Sequence, residues 1–144
     1  MELSDLYSER ILEIAANQPV PGRLPDPHAS ARKTSRICGS AIEVDLRVED
    51  GIITAYGHEV QACALGQTSA AIVAREVVGT PVVEFRLVHQ AFRRMLKEEG
   101  GPPQGRRWED LRYLEPVRDY PNRHASTLLV FDAVSEALDK IGAQ

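Results

Sequence analysis

The sequence predicts an α+β fold: a small antiparallel three-stranded sheet packed against helices, with residues 1–144 forming one domain. Three observations predict it. Ala41 to Val48 alternates in period two, with Ile42, Val44, Leu46 and Val48 set against Glu43, Asp45, Arg47 and Glu49, the pattern of a half-buried strand. Glu49-Asp50-Gly51 then reads as a hairpin turn, Gly51 being free to take positive φ. Beyond Cys63 the apolar spacing returns to the helical period and keeps it to the end of the chain.

The elements follow in order. Ser4 to Asn17 is predicted as a helix from the spacing of Leu6, Tyr7, Ile11, Leu12, Ile14 and Ala15, with Ser4 as N-cap. Pro19, Pro21, Gly22, Pro25 and Pro27 stop it, and the stretch up to Arg36 reads as an ordered or partly mobile loop. Ile42, Val44, Leu46 and Val48 are expected to face the helices, while Glu43, Asp45 and Arg47 face solvent or a partner. Ile52 to Tyr56 and His58 to Ala62 supply one long strand or two short ones in an antiparallel meander. Thr68 to Val78 is a helix of small residues, ended by Gly79. Thr80 as N-cap and Pro81 as first residue open a helix that runs to about Glu99 through Phe85, Leu87, Val88, Phe92, Met95 and Leu96. Gly100 to Arg107 is a turn-rich loop, and Trp108 to Leu114 a short helix anchored in the core by Trp108. The last helix extends from near Ala125 to near Gly142 on the stripe Leu128, Leu129, Phe131, Val134, Leu138 and Ile141.

Composition excludes several classes of function. Apolar residues make up 43% of the chain, enough for a core. The 17 basic and 21 acidic residues leave a net charge of −4, which argues against a broad nucleic-acid surface. No apolar run approaches the ~18–20 residues of a membrane span. The acidic start Met1-Glu2-Leu3-Ser4-Asp5 does not resemble a secretory leader. A cytoplasmic protein with free thiols is the expectation, although two cysteines permit one disulfide.

Few residues carry chemistry. Cys38 precedes Gly39-Ser40 and the first strand, and the glycine allows another group to approach the sulfur. Cys63 sits between a strand and a helix, where a helix N-terminus favours a thiolate. Their separation matches neither a zinc ribbon nor a Cys-x-x-C redox pair, so spacing alone favours two buried structural thiols. His124, in Asn122-Arg123-His124-Ala125-Ser126, can ligate metal, but a lone histidine more often packs or caps. His28, His58 and His89 show no pairing pattern and read as solvated or packing residues. Arg93-Arg94-Met95-Leu96-Lys97 with Arg106-Arg107 is locally basic, but Glu98, Glu99, Glu109 and Asp110 surround it. A solvated charged face is the first reading there and a docking site for an acidic partner the second.

Taken together, the segments resemble the IscU/SufU/NifU-N family of iron–sulfur cluster assembly scaffolds over most of the chain. Leu6-Tyr7-Ser8-Glu9-Arg10-Ile11-Leu12 is similar to the family's opening helix, and Gly22-Arg23-Leu24 follows. Ile37-Cys38-Gly39-Ser40 resembles the first ligand motif, Cys-Gly-Asp. Gln61-Ala62-Cys63-Ala64-Leu65-Gly66-Gln67-Thr68-Ser69-Ala70 resembles the second, Gly-x-Gly-Cys-Ala-[Ile/Leu]-Ser. His124-Ala125-Ser126-Thr127-Leu128 matches the third, in which a cysteine precedes the last helix. The long segment between Phe92 and Tyr120 is more similar to the SufU branch, and the chaperone-binding Leu-Pro-Pro-Val-Lys motif of the IscU branch is not visible. Three departures stand out: Ser40 in place of an aspartate, Ala62 in place of a glycine, and no third cysteine. Counted back from Leu128, that cysteine's position falls on Ala125; a one-residue shift puts His124 itself in the slot.

The resemblance implies a SufE/NifU-like fold and a site in which Cys38, Cys63 and His124 converge on zinc, iron or an iron–sulfur cluster. Two thiolates and an imidazole suit either metal, and imidazole in place of a thiolate raises a cluster's reduction potential. Ser40, neutral at pH 7, is a poor fourth ligand; water, a partner's cysteine or a distant carboxylate completes the shell. The implied partners are a cysteine desulfurase and recipient iron–sulfur apoproteins or carriers, with no nucleic acid and no membrane. By analogy with the SufU branch, Cys38 is the sulfur acceptor. A scaffold is favoured over an enzyme such as a zinc-dependent sulfurtransferase. Two other readings stay open: a degenerate member that only binds partners, and an ordinary α+β domain with structural cysteines.

Overall fold

Asp50 and Gly51 both take positive φ, 53° and 74°, the backbone of a two-residue type I′ turn. The turn folds β2 (Ala41–Glu49) back on β3 (Ile52–Gln61) in antiparallel register, with Ala41 opposite Gln61, Val44 opposite His58 and Leu46 opposite Tyr56. The stretch after the turn is therefore one long strand. The computed structural model describes residues 7–17, 19, 22–36 and 39–142. The expected three-stranded antiparallel sheet is present, in the order β1-β2-β3. Its third strand lies where the sequence suggested a loop: β1 (Ala29–Thr34) pairs antiparallel with the free edge of β2, Ala31 opposite Val44. Only Ala31 of β1 is fully buried, so the strand has no apolar stripe; pairing with β2 and cover from the last helix hold it.

Ile42, Val44 and Leu46 are buried as expected, and Val48 is half-buried. Asp45 departs from its predicted exposure, with no exposed surface at all. The segment Gly22–Leu24 crosses the other sheet face and covers it. Arg23 Nε and Nη2 donate to the Asp45 carboxylate at 2.6 and 2.8 Å, Leu24 N at 2.9 Å and Ser30 Oγ at 2.5 Å. These donors hold the Asp45 carboxyl below the usual range, the Arg23 hydrogen bonds most of all. A Cβ on Gly57, the residue opposite Asp45, would lie 2.4 Å from the Gly22 carbonyl oxygen. Only glycine admits so close a backbone.

The helices differ from expectation mainly at their ends. α1 (Glu9–Ala16) is capped by Ser8, whose Oγ accepts from Ile11 N at 3.2 Å; Ser4 lies outside the described residues. α2 (Ala64–Glu76) begins one turn earlier than Thr68. Before α3 (Val82–Lys97), Thr80 is not the N-cap: its hydroxyl donates back to the Glu76 carbonyl at 2.9 Å and closes α2. The reason is the β-hairpin, which Gly79 and Thr80 join through backbone bonds to Ile53 of 2.7 and 3.0 Å. Arg107 donates from Nη1 to the Glu76 and Val78 carbonyls at the same place, so it belongs to the fold, whereas Arg93, Arg94, Lys97 and Arg106 are exposed.

The predicted short helix around Trp108 is a longer 3-10 helix, Arg106–Asp119. Its buried apolar residues, Trp108, Leu111, Leu114 and Val117, recur every third position, and a 3-10 helix stacks such residues on one face. Trp108 is the predicted core anchor, fully buried with Nε1 donating to Glu84 at 3.2 Å. A 3-10 turn (Pro121–Arg123) leads into α4 (His124–Ile141), which packs on β1 and β2 and against α2. Phe131 of α4 stacks on Phe85 with centroids 5.3 Å apart and meets Phe92 and Trp108, joining α3, α4 and the 3-10 helix in one core. No helix among the described residues is long and apolar enough to cross a membrane.

Candidate metal centre

Three chain segments end at one edge of the sheet. The β1–β2 connection closes through a Ser35 N to Ser40 O bond of 2.8 Å, with Gly39 at φ 69° and its N–H on the Ser35 carbonyl at 2.9 Å. Cys38 belongs to this connection and lies outside the described residues. Beside it, in register with Ala41, β3 ends at Gln61 and leads through Ala62 to Cys63. The third segment is the start of α4.

Cys63 is a half-buried free thiol at the N-cap position of α2. Its backbone carbonyl accepts from Gln67 N at 2.9 Å, and Gln67 Nε2 donates to the Ala62 carbonyl at 2.8 Å, so the helix entry is fixed from both sides. The sulfur makes no capping bond. It lies 3.7 Å from Ser126 Oγ instead. Gly66 leaves room for this contact: a Cβ there would stand 2.9 Å from the Ala62 Cβ and 3.1 Å from the Ser126 carbonyl oxygen. Either group can donate in this contact, and the Ser126 hydroxyl also donates to the Arg123 carbonyl at 3.3 Å. Ser126 is buried, 1% exposed, and the sequence reading missed it. The available signal was Gly66, whose cost to helix propensity is accounted for by the close approach of α4.

His124 is the first residue of α4 and is half-buried. Its Nε2 lies 3.0 Å from the Val117 carbonyl oxygen and 3.1 Å from that of Arg118. Carbonyl oxygens only accept, so Nε2 carries a proton and donates to both, and in the neutral ring Nδ1 keeps the lone pair. Metal-bound histidines are oriented in the same way, by a hydrogen bond from the nitrogen that does not ligate. Ala125, exposed on the same turn, offers no ligand. The residues Asp119 to Arg123, just before His124 in the chain, line a cleft of about 310 Å³.

The structure thus places Cys63 against the first turn of α4, on which His124 stands. Among the described residues, no three His, Cys, Asp or Glu side chains converge as a metal-binding group. Ser40, the counterpart of the aspartate in the first motif, is buried at the foot of the β1–β2 connection. The remaining histidines do not join the site. His28 Nδ1 accepts from Val48 N at 3.0 Å, His89 Nε2 pairs with Asp132 at 2.9 Å, and His58 is buried against Tyr56.

No protein-family model matches the chain. The iron–sulfur cluster assembly scaffold protein IscU of Thermotoga maritima is 29% identical over 140 residues, 94% of either chain. Among solved structures, a nitrogen-fixing NifU-like protein (N-terminal) from Brucella abortus superposes with a TM-score of 0.94 at 48% identity, covering 97% of this chain and 96% of that one. A structure from Fervidobacterium islandicum described as an iron–sulfur cluster assembly scaffold of the SUF system shares the fold, with a TM-score of 0.84 at 18% identity over 95% of this chain and 99% of that one.

Proposed function

Because the chain belongs to the IscU/NifU-like family of iron–sulfur cluster assembly scaffolds, we propose that it assembles or relays iron–sulfur clusters, or accepts the sulfur for them, at a centre formed by Cys38, Cys63 and His124. One observation carries this reading: the uncapped Cys63 thiol sits against the first turn of α4, where His124 has Nε2 tied to two carbonyls and Nδ1 left over. A free thiol, an available imidazole nitrogen and a second thiol from the adjoining connection form a donor set suited to zinc or iron. The cluster is cargo, and a shell with one open position suits delivery and release. A cysteine desulfurase would supply the sulfur, and recipient apoproteins or carriers would take the cluster.

Within this centre the two cysteines have different tasks. Cys63 is anchored between strand and helix and serves as the fixed ligand. Cys38 rides on the connection beside Gly39 and accepts sulfur. Cys38→Ser is expected to abolish the one-sulfur mass adduct formed with desulfurase and cysteine, whereas Cys63→Ser mainly weakens metal binding. Mass spectrometry and metal analysis of the two variants decide, and an undiminished adduct on Cys38→Ser refutes the assignment. A second reading, a partner-binding member that no longer assembles clusters, is favoured by the exposed Ala125, which offers no ligand at the position where an ungapped match to the family's third motif puts the cysteine. Anaerobic reconstitution with iron and sulfide separates the two: a cluster absorption spectrum supports assembly, and its absence supports the second reading.

A further inference from the structure

The 3-10 helix ends at the residues that hold His124, and a single side chain fixes that end. Arg118 Nε donates to the Met95 carbonyl at 2.8 Å, and its Nη2 donates to the Gly100 carbonyl at 2.8 Å. Met95 lies in the last turn of α3, whose carbonyls lack helical partners, so the guanidinium satisfies one of them and places a cation where the helix dipole is negative. Gly100 follows directly and is itself tied by its N–H to the Arg94 carbonyl at 3.0 Å. Arg118 therefore grips two points of a rigid helix end. Its own carbonyl and that of Val117 accept the His124 Nε2 proton. Val117 is buried as the last residue of the period-three stripe, which fixes the same backbone from the core side.

We propose that Arg118 is a positioning residue for His124: by latching the end of the 3-10 helix to α3, it holds the two carbonyls that select the Nε2–H tautomer and present Nδ1 to the metal. The ligand role of His124 rests on the proposed function, but the tautomer does not, so the two are tested separately.

The experiment uses the full chain, metal-free and 15N-labelled, at about pH 8, with long-range proton–nitrogen correlation of the histidine rings and His124→Gln to assign the signal. Wild type is expected to show His124 protonated on Nε2 alone. Arg118→Ala should give a mixture of tautomers, and Arg118→Lys, which keeps a cation and a donor for Met95, should restore part of the wild-type pattern. The backbone amide spectrum reports folding; if Arg118→Ala does not fold, Arg118→Gln takes its place. A merely structural role would lower thermal stability without moving the tautomer, and that result overturns the proposal. So does a wild-type proton on Nδ1. In parallel, zinc affinity by chelator competition is expected to fall about 10–100-fold in Arg118→Ala, as for other groups that orient a metal ligand. If wild type binds no zinc and takes up no cluster, the metal-centre reading fails, while the tautomer result still decides the role of Arg118.

Discussion

His58 illustrates what burial does to a single residue. It lies on the helix-facing side of the sheet with 6% of its surface exposed, its Nδ1 2.8 Å from Tyr56 Oη. Removal from water penalises the charged imidazolium and pushes the pKa down to about 4. The unfolded chain binds that proton near pH 6.5. Stability from this residue is therefore complete above about pH 6.5 and is lost as pH falls toward 4. Melting temperature measured between pH 7 and pH 4 should fall, and His58→Phe should flatten that slope; an unchanged slope would show that folded His58 takes up its proton as readily as the unfolded chain does. Burial also explains why His58 could be placed only broadly from sequence. Alternation shows that it shares a face with Tyr56, but the helices that cover both come from distant parts of the chain. The same holds for Ser126: no local pattern marks a serine that meets a cysteine across the fold.

At the scale of elements, the strap Gly22–Leu24 and the sheet depend on one another. Gly57→Ala would drive a methyl group into the Gly22 carbonyl, 2.4 Å away. The strap must lift, and the Asp45 carboxylate loses Arg23 and Leu24. A loss of about 2 kcal/mol or more is expected, read as a lower denaturant midpoint with little change in slope. Period-two alternation placed β2 correctly but could not reveal the strap, because a polar residue facing outward looks the same whether water or a backbone segment covers it. β1 escaped detection for the converse reason. Ala-Ser-Ala-Arg-Lys-Thr carries little apolar surface, and its stability comes from its partners. The 3-10 helix did have a local signal, the period of three through Trp108, Leu111, Leu114 and Val117. A search at the α-helical period alone shortens such an element, and Pro116 within it reinforces the error.

For the whole molecule, a metal held at the proposed centre would be linked to the fold. A metal that binds only the folded chain stabilises it by about 2.7 kcal/mol at a hundredfold excess over Kd, roughly 8 °C for a chain of this size. Zinc should raise the melting temperature of wild type by that order, a chelator should reverse it, and Cys63→Ser should remove most of the rise. A rise that persists in Cys63→Ser would locate the metal elsewhere. The core beneath the site is well able to carry such coupling: Phe131 joins α3, α4 and the 3-10 helix, and α4 delivers His124 and Ser126 from its first turn. By itself, the sequence determined the α+β class, the β2–β3 hairpin, the core faces of α3 and α4, and, through three ordered motifs, the scaffold family. All of these are written in local periodicity, turn chemistry or short runs of residues. Only the tertiary structure decided that Asp45 is buried under a strap, that Ser126 meets Cys63 and that His124 Nε2 meets the Val117 and Arg118 carbonyls. These depend on close approach between segments far apart in the chain, where a missing Cβ at Gly57 or Gly66 and the direction of a carbonyl count for more than any pattern along the sequence.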